Sequence, residues 1–173
     1  MADRPSRQER LQPSLLDRLT DEQPDHKLEP REQRVLSKGR LRQAVLRDLA
    51  WLFNAVKLDV SDELAQLPNV RRSVVNFGLA ALSGKTASTL DAIDLTSAIR
   101  QAILDFEPRI LPATLQVRTV VDPGQLDHHN IIGVEIHGHL WAQPVPLELL
   151  VRTDIDLETG RVEIADLLPT RVA

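Results

Sequence analysis

The feature that most limits how this chain can fold is a change of hydrophobic period at Phe106-Glu107-Pro108-Arg109. Before this point apolar residues recur every three or four positions, as on one face of a helix; beyond Pro112 they alternate, as in strands. Pro108 disfavours α geometry in the residue before it, so Phe106 or Glu107 is the expected last helical position. Helices first and strands second, without βαβ alternation, indicate an α+β domain. The expected architecture is N-terminal helices packed on one face of a small antiparallel sheet of about four strands.

Two helices are predicted. Leu41, Val45, Leu49, Leu52 and Val56 form a stripe within Val35 to Asn54, with Ser37 as candidate cap and the basic residues on the opposite face. The second helix begins near Thr89 or Asp91 and runs to Phe106. Ile93, Ile99, Ile103 and Phe106 form its stripe, supported by Leu95, Ala98 and Ala102. Between them, Lys57 to Gly84 reads as a loop with short elements. Its Arg72, Ser73 and Asn76 either serve a site or staple turns by hydrogen bonds.

Beyond Pro112, Leu115, Val117, Thr119 and Val121 open the first strand, which ends at the turn Asp122-Pro123-Gly124. Ile132, Val134, Ile136, Gly138 and Leu140 give the second. The run Val145 to Leu157 gives the third, and Glu158-Thr159-Gly160 turns into the fourth. Pro144 and Pro146 mark a strand start or a sheet edge, because proline cannot donate to a ladder. Such an edge is either simply blocked or open to a foreign strand.

At 173 residues and 42% apolar, the chain accommodates one domain with a real core. Residues 35–173 are assigned to that domain and residues 1–34 to a polar arm. Within the arm, Ser14-Leu15-Leu16-Asp17-Arg18-Leu19 is either a frayed turn in a flexible tail or an anchor that packs on its own domain or on a partner. The chain has no cysteine, which excludes disulfides, thiolate zinc sites and cysteine nucleophiles. No signal-peptide core and no run of about 18 apolar residues occurs, so a cytoplasmic protein without membrane insertion is expected. Residues 35–84 carry 7 basic against 4 acidic side chains, whereas residues 113–173 carry 4 against 9. That dipolar pattern suits docking to proteins of complementary potential. It does not suit nucleic acid, which calls for a strongly basic footprint.

Glu107 is the candidate acid. A glycosidase needs two carboxylates, one of raised pKa. Arg109 works against this, because a neighbouring cation favours the ionised carboxylate. Three roles therefore remain for the Glu107–Arg109 corner: catalytic acid, structural clamp or docking point. His137 and His139 share a strand face with Glu135, while His128 and His129 fall in a turn; solvent-face histidines beside Trp141 explain the pattern better than a metal site. Ser83-Gly84-Lys85-Thr86 lacks the upstream glycine of a phosphate-binding loop.

Several runs occur together in one order. They are Ser14 to Leu19, Arg72-Ser73-Val74-Val75-Asn76-Phe77-Gly78, Phe106 to Arg109, His139-Leu140-Trp141-Ala142-Gln143-Pro144-Val145-Pro146, and Leu150 to Gly160. In this combination the chain closely resembles TssE, the baseplate subunit family of the type VI secretion system, which is similar to a wedge component of contractile phage tails often labelled lysozyme-like. The resemblance implies a cytoplasmic structural component with no cofactor and no enzymatic activity. It implies baseplate partners TssF, TssG and TssK, and the TssB–TssC sheath by strand augmentation at a sheet edge. Glu107, Pro108, Arg109, Arg72, Asn76, Trp141, Pro144 and Pro146 become the expected docking residues. On that reading, alanine at Glu107 or Arg109 is expected to spare the fold and abolish sheath assembly. The alternative is a peptidoglycan hydrolase using Glu107.

Overall fold

The computed structural model describes residues 14–20, 37–58, 66–83, 92–120, 131–142 and 145–168. Four α-helices and a four-stranded sheet are formed among them. Helix α1 is Leu15–Leu19, α2 is Lys38–Asn54, α3 is Pro68–Arg71 and α4 is Ala92–Phe106. Short 3₁₀ turns occupy Val74–Asn76 and Pro112–Thr114. Strands β1 (Gln116–Val120), β2 (Ile131–Leu140), β3 (Leu147–Asp156) and β4 (Val162–Asp166) pair in sequence order, all antiparallel. The α+β architecture with helices on one face of an antiparallel meander is as the period change requires. The expected turn at Asp122-Pro123-Gly124, with Pro144, His128, His129 and Gly84 to Thr86, lies outside the described residues.

Helix α2 starts where Ser37 accepts a hydrogen bond from the Arg40 amide at 3.2 Å, a cap worth about 1 kcal/mol. Its Leu41, Val45, Leu49 and Leu52 are buried as predicted. Two expectations for this segment fail. Val56 lies beyond the helix end, is 69% exposed, and forms a bridge with Leu79 instead. Arg42, assigned to the outer basic face, is buried. In α4, Leu95, Ile99, Ala102 and Ile103 form the buried stripe. Ile93 is 72% exposed, contrary to the predicted stripe. It stands two residues from Leu95, about 200° around the helix, and so points away. Ala98 is exposed as well.

The inner face of the sheet is supplied by alternate residues, Val134, Ile136 and Leu140 from β2 and Leu149, Val151 and Ile155 from β3. The outer face carries Arg118, Glu135, His137, Glu148 and Arg152. Arg118 pairs with Glu135 at 2.8 Å across the strands.

Strand β3 is not the edge that Pro144 and Pro146 suggested. It pairs with β2 along its whole length and with β4 from Val151 to Ile155. The edges are β1 and β4, and they are treated differently. Asp156 donates to Arg161 and Leu167 to Leu150, so in β4 the backbone groups of Val162, Ile164 and Asp166 face outward. Helix α2 runs beside that edge. The Asn54 amide donates to the Val162 carbonyl at 2.9 Å and accepts from the Val162 N–H at 3.0 Å, as a neighbouring strand would. At the other end Arg42 grips the Asp166 carboxylate and donates to the Glu148 carbonyl of β3 at 3.2 Å. Beside β2, the Leu111 amide donates to His139 and the Trp141 amide to Arg109, which fixes odd-numbered β2 residues as those facing β1. Gln116, Arg118 and Val120 therefore bond to β2, and Val117 and Thr119 turn their N–H and C=O groups outward. Among the described residues no strand pairs with that side of β1.

Gly78 connects the 3₁₀ turn to the bridge strand at φ 125°, with Lys57 donating to Leu79 and Leu79 to Ala55. A Cβ there would lie 2.3 Å from the Ala55 carbonyl oxygen. Gly78→Ala is expected to cost at least about 2 kcal/mol, read as a lower denaturation midpoint with an unchanged slope.

Candidate functional site

The corner after α4 is built by local chain chemistry. Phe106 is the last helical residue, and the Glu107 amide still donates to Ile103 at 2.8 Å. The chain then turns through Pro108, and Arg109 to Leu111 runs beside the end of β2, with a bridge between Ile110 and Leu140. The last turn of α4 secures three neighbours. Asp105 accepts from Arg72 at 2.9 Å, Phe106 meets Phe77 edge to face at 5.3 Å, and Glu107 holds Arg109.

Glu107 is 4% exposed, and both its carboxylate oxygens are engaged. Oε1 accepts from the Arg109 amide at 3.1 Å and from its Nε at 2.7 Å; Oε2 accepts from Nη2 at 2.5 Å. The same Nη2 donates to Asp48 of α2 at 2.5 Å. Burial disfavours the Arg109 cation, but Glu107 and then Asp48 outweigh it and raise its pKa further above the ordinary guanidinium value. Arg109 is thus a permanent charge held between two carboxylates. Both Glu107 oxygens are engaged by Arg109, the arrangement a structural clamp would have.

The network extends to the N-terminal arm. Asp48 accepts from Arg47 Nε at 2.9 Å, and Arg47 Nη1 donates to Asp17 of α1 at 2.7 Å. The Arg47 guanidinium also lies 5.1 Å from the Trp51 ring centroid, a cation–π contact. Ser14 donates to Asp17 at 2.6 Å and caps α1 by accepting from the Asp17 amide. Ser14, Asp17, Arg47, Asp48, Arg109 and Glu107 therefore form one chain of charge and hydrogen bond from arm to corner. The described segment of the arm meets α2 through the Asp17–Arg47 ion pair. Leu15 and Leu19 are more than two-thirds exposed.

Of the residues singled out from the sequence, the fold brings Glu107, Pro108, Arg109 and Trp141 together. Trp141 is half exposed, and its amide donates to the Arg109 carbonyl at 2.7 Å. Pro146 is exposed just before β3. Arg72 and Asn76 sit on the opposite side of the α4 end, Arg72 exposed and Asn76 buried. Glu107 is too buried to be touched from outside, and its contact toward the surface is Arg109. Asp17, Arg47 and Asp48 were not singled out. They appear in the sequence as ordinary charges, and only the packing of α1, α2 and the corner joins them. His137 and His139 stand ring to ring at 5.9 Å on the outer face, with His137 3.3 Å from Glu148. Among the described residues no group of three metal-ligating side chains forms, and no helix is long and apolar enough to cross a membrane.

The family model for the baseplate wedge protein gp25 matches residues 39–145, more than half the chain. The chain belongs to the gp25 baseplate wedge family. TssE is the type VI homologue of gp25. The match runs from the first turn of α2 to just past β2, so this wedge protein carries the corner, its Asp48 partner and the open β1 edge within the family segment. No curated protein matches the chain. No solved structure matches it either.

Two outcomes are expected from the network. Glu107→Ala leaves the Arg109 cation only partly compensated, and is expected to lower stability by about 2–3 kcal/mol in chemical denaturation. Asp17 has a lowered pKa: burial opposes this, but the Ser14 hydroxyl and Arg47 outweigh it. A depressed carboxyl contributes stability above its unfolded value of about 3.9 and loses it as pH falls through the folded value. The helical amide signals of Leu15 to Leu19 in NMR spectra should therefore persist at neutral pH and vanish below about pH 4.

Proposed function

We propose that this wedge protein is a cytoplasmic structural component of a type VI secretion baseplate. It links the wedge to the contractile sheath and initiates sheath assembly, without catalysis. The supporting observation is that β1, an edge with which no described strand pairs on its outer side, and the charged corner lie on the same flank of β2. An extended segment of the TssB–TssC sheath adds to β1 by main-chain bonding to Val117 and Thr119. Pro108, Arg109, Trp141, Pro144 and Pro146 seat the TssF, TssG and TssK wedge proteins, with Glu107 fixing the orientation of Arg109.

Two substitutions test this without disturbing buried charge. Thr119→Pro removes a donor from the outward side of β1, where proline is tolerated because that side has no ladder bond to lose. It is expected to fold normally and to lower the number of fluorescent sheaths in cells by about tenfold or more. Trp141→Ala is expected to weaken co-purification with TssF and TssG. Normal sheath polymerisation on a folded Thr119→Pro protein contradicts the assignment of the edge.

A further inference from the structure

A cleft of about 520 Å³ opens between the Pro68–Gly78 segment and the side of α4 that bears Ala98, Gln101 and Asp105. Its polar lining is unbalanced. Lys57, Arg71 and Arg72 face it, and its single carboxylate, Asp105, is already taken by Arg72 at 2.9 Å. Lys57 and Arg71 have no ion pair among the described residues and leave the cleft with two uncompensated cations. Asn76 forms part of the wall and is 7% exposed. Its Nδ2 donates to the Arg71 carbonyl at 2.9 Å, which fixes the backbone that carries Arg71. Beside it Val74 and Val75 are 83% and 66% exposed.

We propose that this cleft is a docking site for an acidic, extended peptide segment of a partner protein. Carboxylates of the segment meet Arg71 and Lys57, and aliphatic side chains cover Val74 and Val75. The combination selects a peptide over a phosphate or nucleic acid. A phosphate has no apolar part to cover Val74 and Val75, and the one aromatic ring in the lining, Phe106, is packed against Phe77 and offers no face on which a base could stack. The site deepens the docking role given above to Arg72 and Asn76. Only the identity of the partner, a baseplate protein, rests on the proposed function; the ligand chemistry does not.

The test is an NMR titration of the isotope-labelled full chain with an N-acetylated hexapeptide alternating glutamate and leucine. Expected are saturable shifts of the Arg71 and Lys57 amides and of the Asn76 side-chain amide protons. Affinity should fall by about tenfold or more in Arg71→Glu, and similarly for a peptide with glutamine in place of glutamate. Lys57→Glu, far from the buried core, provides a second variant should Arg71→Glu alter the fold. Undiminished binding by both variants, shifts confined to other surfaces, or inorganic phosphate reproducing the pattern while the peptide does not bind would each overturn the proposal. Because the readout uses the purified chain alone, failure here is distinct from failure of sheath assembly in cells.

Discussion

Much of the molecule is organised around one guanidinium. Arg109 joins the end of α4, through Glu107, to the middle of α2, through Asp48, while its carbonyl receives the Trp141 amide at the end of β2. A buried ion pair is a weak source of net stability, because desolvation offsets attraction. Its effect here is geometric. With Arg109 held by both carboxylates, the chain leaving α4 has one direction open to it. That direction lays Arg109 to Leu111 beside β2 and delivers β1 to the flank of the sheet. The same charge sequence continues through Arg47 to Asp17, so the short helix α1 shares the network that holds the corner.

The two edges show how an α+β domain with a short meander can manage exposed strands. An unpaired edge is normally a liability, relieved by covering or charging it. Here α2 covers β4, with the Asn54 amide standing in for a strand at one end and Arg42 closing the other. The helix that contributes most to the core thus also decides which edge is available. β1 is flanked by α4, but among the described residues no side chain bonds to its outward groups as Asn54 does on β4, and it lies beside the corner. Core packing and the covering of an edge are two uses of a single helix.

The parts of this architecture that were legible in the sequence are those set by local rules. The switch of period at Phe106 to Arg109, the Ser37 cap, the last turn of α4 and the alternation along β2 and β3 depend on neighbours within a few residues. The errors came where distant residues decide. Arg42 looks like a surface cation until Asp166 and the Glu148 carbonyl, both more than 100 positions away, give it a buried role. Ile93 matches an apolar stripe by composition but not by angle once Leu95 defines the buried face. Pro146 stands just before β3; it carries no information on whether β4 will later pair with that strand. Glu107 and Arg109 were visible as a pair, but Asp48, 61 positions before Arg109, was not.

The asymmetry of the edges also limits how copies of this protein can meet one another. A sheet with two open edges can add copies on both sides, and such additions continue into fibres. Among the described residues the β4 side is occupied by α2, which leaves β1 to β1 as the sheet contact open to two copies. That contact is its own mate and ends with the second molecule. A pair formed in this way is closed, and it masks the edge that a foreign strand would use.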